Sequence, residues 1–171
     1  IASQSDNVVR VKGKDLLNLE VENIQYKNGC IAILPANPIY WKGTRISVLA
    51  KTYQNYLPIK VNFNYVPEVS ATQAGTIVTG TLWNQGMSAD GFTQSLKASN
   101  GGVLSQVYSE FKSKIGLRGK LQLKNFSTLS EFGPNSNPFV YVILNTAKDD
   151  NDNTMNTGSF YIEYEYLLLN P

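Results

Sequence analysis

The chain has 171 residues, enough to bury one sizeable core, and 42% of them are hydrophobic while only 16% are charged. An ordinary soluble domain carries roughly 25% charge, so part of this surface is expected to be covered by a partner, by further copies of the chain or by a membrane. The membrane is the weakest of these, because the longest apolar runs, Tyr166–Leu169 and Phe139–Leu144, fall far short of the ~20 residues a spanning helix needs. The opening Ile1-Ala2-Ser3-Gln4-Ser5-Asp6-Asn7 does not read as a signal peptide.

Strand signals dominate the chain from its start. Val8–Val11 and Leu16–Val21 are short candidate strands, followed by an Asn28-Gly29 turn and a further strand at Cys30–Leu34. The single cysteine, Cys30, has no internal disulfide partner and is read as a small buried hydrophobe. After Lys42-Gly43 the period changes. Thr44 can cap a helix whose apolar stripe runs Ile46, Leu49, Ala50 and Tyr53, with Tyr56 extending it, so a helix is expected over about Arg45–Tyr56.

Lys60–Val66 then alternates apolar and polar residues up to Pro67, as a half-buried strand does. Thr76–Trp83 is a second β-branched run. A helical turn is expected near Phe92–Lys97 after Asp90-Gly91, and weaker strands at Val103–Phe111 and Lys120–Leu123. Phe139–Leu144 is continuously apolar, the pattern of a strand covered on both faces. Ser159–Tyr166 alternates again, with Phe160, Ile162, Tyr164 and Tyr166 on one face. Eight or nine short strands, one or two inserted helices and no internal repeat predict a single all-β domain over 1–171. The choices are a jelly-roll or an immunoglobulin-like two-sheet sandwich, and the long, uneven connections favour the jelly roll.

The residues that carry chemistry are scarce. The chain contains no histidine, which removes Ser-His-Asp and Cys-His arrangements and His-ligated metals; one cysteine removes thiolate zinc sites. No P-loop or paired glycine fingerprint is present. An enzyme is not expected.

Two charged clusters stand out. Residues 110–124 hold five Lys/Arg against one Glu, with Lys112 and Lys114 sharing one strand face and Lys120 and Lys124 another. Either this is the polar side of an amphipathic strand, or it is a salt-sensitive patch for nucleic acid without sequence selectivity, which Lys42 and Arg45 would join. No interleaved aromatic motif accompanies the run, so a reader that stacks bases is not expected. The second cluster, Asp149-Asp150-Asn151-Asp152-Asn153, is rich in oxygen ligands. It reads either as a solvated turn or as a calcium site between neighbouring subunits, resting on Asp149, Asp150 and Asp152. Ten tyrosines suit core edges and interfaces alike, and Tyr40, Trp41 and Tyr56 around the helix are candidates for a subunit interface.

An ordered set of motifs points further. It begins with Leu34-Pro35-Ala36-Asn37-Pro38-Ile39-Tyr40-Trp41, then Gly43-Thr44-Arg45 and Leu49-Ala50-Lys51-Thr52-Tyr53-Gln54-Asn55-Tyr56. Phe63-Asn64-Tyr65-Val66-Pro67 and Thr72-Gln73-Ala74-Gly75 follow, and the chain closes on the alternating strand from Gly158 to Pro171. Together with Val9–Leu17, this resembles the shell domain of tombusvirus-like and sobemovirus-like capsid proteins, a pattern shared by nodavirus-like capsids. The resemblance implies an eight-stranded antiparallel jelly roll that assembles as a homo-oligomer into an icosahedral shell in the virion. Such a shell encloses viral nucleic acid, RNA in these families. The basic N-terminal arm with which they hold RNA is not in this segment. The aspartates they place after the Trp83 strand are replaced by Asn84-Gln85-Gly86-Met87, leaving Asp90. The alternative is a non-enzymatic jelly-roll module that recognises a carbohydrate or a protein partner.

Overall fold

The computed structural model describes residues 8–17, 30–83, 99–117, 126–127, 138–148, 150 and 155–171, the side chains of 30–33 and 126–127 excepted. The described residues form nine strands. These are β1 (Val8–Leu16), β2 (Cys30–Pro35), β3 (Asn55–Pro67), β4 (Thr76–Trp83), β5 (Val103–Gln106), β6 (Phe111–Ile115), β7 (Phe126–Ser127), β8 (Phe139–Asn145) and β9 (Gly158–Leu169). One antiparallel sheet runs in the order β1-β9-β3-β6, with the two-residue β7 paired to the start of β3; the other runs β2-β8-β4-β5. The chain thus crosses between the sheets at every connection from β1 to β4, stays in one sheet from β4 to β5, and crosses again to β6, and the two sheets enclose one core. This is the jelly-roll sandwich that the strand pattern predicts.

The two sheets differ as their sequences do. In β9, residues alternate strictly between buried and half-buried from Gly158 to Leu169, so one pleat faces the core and the other faces out. In β8 all seven residues are buried, as its unbroken apolar run requires. Phe63 of β3 stacks on Tyr141 of β8 with ring centroids 3.9 Å apart, which locks one sheet onto the other. Glycine is required at the start of β9. A Cβ on Gly158 would lie 2.4 Å from the Val66 carbonyl oxygen and 2.8 Å from the Tyr65 ring, so only a bare backbone lets the β3–β9 ladder close there.

The connection from β2 to β3 carries the helical elements. A short 3-10 helix, Pro38–Tyr40, begins at Asn37, whose side chain accepts from the Ile39 N–H. Helix α1 covers Arg45–Ala50, with Thr44 as its cap accepting from Ser47 N–H at 3.3 Å. The expected helix to Tyr56 is therefore too long. It stops because Thr52 N–H and Oγ1 both bond back to the Leu49 carbonyl, while Asn55 and Tyr56 already pair with Leu169 and Leu168. Pro58, which no helix interior tolerates, sits instead at an irregularity of the β3–β9 register between Pro58 and Lys60.

Other boundaries shift for similar reasons. Val8–Val11 lengthens to Leu16. The expected strand at Leu16–Val21 contributes only Leu16 to β1, Leu17 lies beyond the strand, and the rest falls outside the described residues. The single strand expected at Val103–Phe111 is two. Ser109 N–H turns back to the Gln106 carbonyl at 3.1 Å, and the chain crosses from β5 in one sheet to β6 in the other. Phe92–Lys97 and Lys120–Leu123 lie outside the described residues. Among the described residues no helix is long and apolar enough to cross a membrane.

Candidate nucleic-acid interface

Strand register gathers the cations. The outward pleat of the β1-β9-β3-β6 sheet places Lys12 opposite Glu165, and Glu165 opposite Lys60, in one row across three strands. The next row runs Lys14, Glu163, Asn62 and Lys114; the one beyond it runs Leu16, Tyr161, Asn64 and Lys112. Arg10 joins the face through its guanidinium, 3.6 Å from Glu165. The described face thus carries six cations, Arg10, Lys12, Lys14, Lys60, Lys112 and Lys114, against Glu163 and Glu165 among them and Glu68 at its end, which accepts from the outward Ser159 hydroxyl.

The carboxylates organise this field. Glu163 accepts from Asn64 Nδ2 at 2.9 Å and lies 3.5 Å from both Lys60 and Lys112. The Asn64 hydrogen bond, and then the two ammonium groups, hold its carboxyl below the usual carboxylate range. It therefore stays ionised and fixes two cations at the middle of the face. Lys14 stands over the Tyr161 ring, 5.5 Å from its centroid. With more cations than anions on one sheet face, the site suits a polyanion whose phosphates exchange for small counterions.

The site residues expected from sequence divide accordingly. Lys112 and Lys114 are exposed and share this face. Lys120 and Lys124 lie outside the described residues. Lys42 is exposed in the turn before α1. Arg45 is not part of the face. Its Nε lies 3.4 Å from Asp15, on the opposite pleat of β1 from Lys12 and Lys14, and its N–H also bonds Asp15 Oδ2. Asp15 further accepts from the Tyr164 hydroxyl at 2.8 Å. Burial first, and then that carboxylate, push the Tyr164 pKa up to about 12.

Trp41 and Tyr56, candidates for a subunit interface, are filled from within the protomer. Trp41 donates its indole N–H to the Pro35 carbonyl at 2.9 Å and meets Tyr166 edge-on at 5.2 Å. Tyr56 is fully buried against Tyr166, 5.8 Å between centroids. Large aromatic area is most strongly driven into the core, and here the β2–β3 connection supplies the lid for it. Tyr40 is half-buried. Of the candidate calcium ligands, Asp150 is exposed, and Asp149 and Asp152 lie outside the described residues. Among the described residues no three acids, histidines or cysteines come together to hold a metal.

Sequence reasoning missed Arg10, Lys12, Lys14 and Lys60. The available signal was period two itself: Arg10, Lys12 and Lys14 alternate along β1 just as Lys112 and Lys114 do along β6.

No protein-family model and no curated protein matches the sequence. Solved structures do match the fold. The chain is similar to one from the semi-empty virus-like particle of the giant freshwater prawn Macrobrachium rosenbergii nodavirus. That match has a TM-score of 0.74 at 18% identity, covering 98% of this chain and 99% of that one. Mud crab tombus-like virus gives 0.75 at 18% identity, over 96% and 89%. Tobacco necrosis virus gives 0.71 at 15% identity, over 96% and 97%. At these identities the likeness is one of fold, and at that level it bears out the resemblance drawn from the ordered motifs.

Proposed function

We propose that residues 1–171 form one shell domain of a viral capsid protein, a non-enzymatic subunit whose copies close into an icosahedral shell around the viral genome in the virion. The observation that carries this reading is the sheet pair β1-β9-β3-β6 and β2-β8-β4-β5, which aligns almost end to end with chains from virus particles. A sandwich of this kind is a rigid repeating unit, and symmetry turns one set of edge contacts into a closed particle. Low charge supports self-association, and the lack of histidine supports a structural role over catalysis.

The genome would lie against the basic sheet face. Six cations on one face attract phosphates of any sequence, which suits packaging of a whole RNA genome better than reading a motif. The purified protein is expected to sediment as large closed particles visible by electron microscopy, carrying RNA measurable by absorbance. Replacing Lys12, Lys14, Lys112 and Lys114 with Gln should lower the RNA content while leaving the particles intact. A protein that stays monomeric at high concentration would refute the shell; unchanged RNA content would refute the role of the face.

A further inference from the structure

We propose that the basic face distinguishes single strands from other polyanions, with Tyr161 as a platform on which one unpaired base stacks. This rests on the nucleic-acid reading of the face and adds a base-dependent contact to it. Tyr161 stands on the outward pleat of β9, between Phe160 and Ile162, which point into the core. It is half-buried, flanked by Leu16 on β1 and Asn64 on β3, with Lys112 next in the same row. Neighbouring strands lie about 4.8 Å apart, so Lys14 on one side and Lys112 on the other fall within about 10 Å of the ring.

Lys14 covers one side of the ring. Its ammonium sits 5.5 Å from the Tyr161 centroid, a contact made by a long exposed side chain over an aromatic face. A base stacking there displaces this long exposed side chain, which is then free to pair with the phosphate the base brings. Stacking is sequence-tolerant because every base has a π-face, and it needs the base unpaired. A duplex hides those faces and would bind through charge alone. The interleaving of aromatic and cation that no single segment contains is thus produced by three strands in register.

The test uses subunits dissociated from particles at high salt, freed of RNA and kept below the concentration at which they reassemble, with two fluorescein-labelled DNA oligomers of equal length and phosphate number, one oligo-dT and one abasic. Anisotropy should give oligo-dT the tighter binding, by about tenfold for one stacked base. Tyr161→Phe should keep that ratio, whereas Tyr161→Leu, which retains apolar bulk without a π-face, should bring it to one. Equal binding of the two oligomers by the unaltered chain, or an unchanged ratio in Tyr161→Leu, overturns the stacking platform. Replacing Lys12, Lys14, Lys112 and Lys114 with Gln should weaken both oligomers together. If that variant binds both as the unaltered chain does, the nucleic-acid reading of the face fails as well. Far-UV circular dichroism checks that each variant is folded.

Discussion

Tyr141 shows how a single side chain can hold the sandwich together and still carry a defect. Its ring stacks on Phe63 across the two sheets, yet among the described residues its buried hydroxyl has no well-formed hydrogen bond. The nearby hydroxyls of Ser113 and Thr79 donate to the Gly101 carbonyl and offer Tyr141 only their oxygen lone pairs. Burial, against the weaker opposing influence of those hydroxyls, pushes the Tyr141 pKa up to about 12. Tyr56 and Tyr166 are likewise raised well above 10 by burial. The sign follows directly. Below pH 10 these tyrosines are protonated in both states and their full contribution to stability is present. Above it the unfolded chain ionises while the folded one does not, and each such tyrosine subtracts about 1.4 kcal/mol per pH unit. Tyr141→Phe keeps the stacked ring and removes both the unpaired hydroxyl and one titrating group. Its stability at pH 7 should equal or exceed that of the unaltered chain by up to about 1 kcal/mol. Between pH 10 and 12 its stability should fall less steeply, by about 1.4 kcal/mol per unit. Urea unfolding at pH 7, 10 and 11.5 measures both; a loss of stability at pH 7 would mean that the hydroxyl is satisfied.

Strand β9 is the organising element, because it joins β1 to β3 and sets the two acidic side chains among the cations. Glu163 holds Lys60 and Lys112 at 3.5 Å each, so Glu163→Gln frees two ammonium groups without moving a strand. Exposed ion pairs contribute at most about 1 kcal/mol, so unfolding should change little. Oligonucleotide affinity should rise, and log K should fall more steeply with log salt, by up to about 1 in slope. Because the Glu163 pKa is depressed, its ion pairs persist as pH falls into the ordinary carboxylate range. They are lost only as pH falls through the lowered value, where the unaltered chain should approach the Gln variant. A salt titration of both proteins at pH 7 decides this, and identical slopes would mean that Glu163 does not restrain the lysines. The same strand explains what could be read in advance. Period two in Lys60–Val66 and Ser159–Tyr166 reports burial directly, so those strands and their core faces were legible. Which strands become neighbours is a matter of register, and Lys12 and Lys60 meet across Glu165 only after residues far apart in sequence have paired. The expected helix runs past α1 to Tyr56 for a related reason. Tyr56 fits the apolar stripe at helical spacing, but the β9 ladder offers it the same burial and adds backbone hydrogen bonds that Pro58 would break in a helix.

At the scale of the whole molecule, the apolar side chains left outside matter most. Helix α1 buries Ile46 and Ala50 completely, yet leaves Val48 69% and Leu49 39% exposed. Two such residues side by side on a short helix gain nothing in an isolated subunit. In the proposed shell they would be covered by a neighbouring copy, and the half-buried Tyr40 lies in the same connection, on the 3-10 helix that packs against α1. A carboxylate at Val48 should therefore separate folding from assembly. On the isolated subunit Val48→Asp is a surface change, expected to alter stability by no more than about 0.5 kcal/mol. At a subunit contact it places an unpaired charge where water is excluded, and symmetry repeats that cost at every equivalent contact of the particle. The variant should give an unfolding curve like that of the unaltered chain but run as a small species in sedimentation velocity, with no particles by electron microscopy. Particles formed in normal yield would move the subunit contact away from α1. Loss of assembly together with a lower unfolding midpoint would instead show that Val48 supports the fold itself.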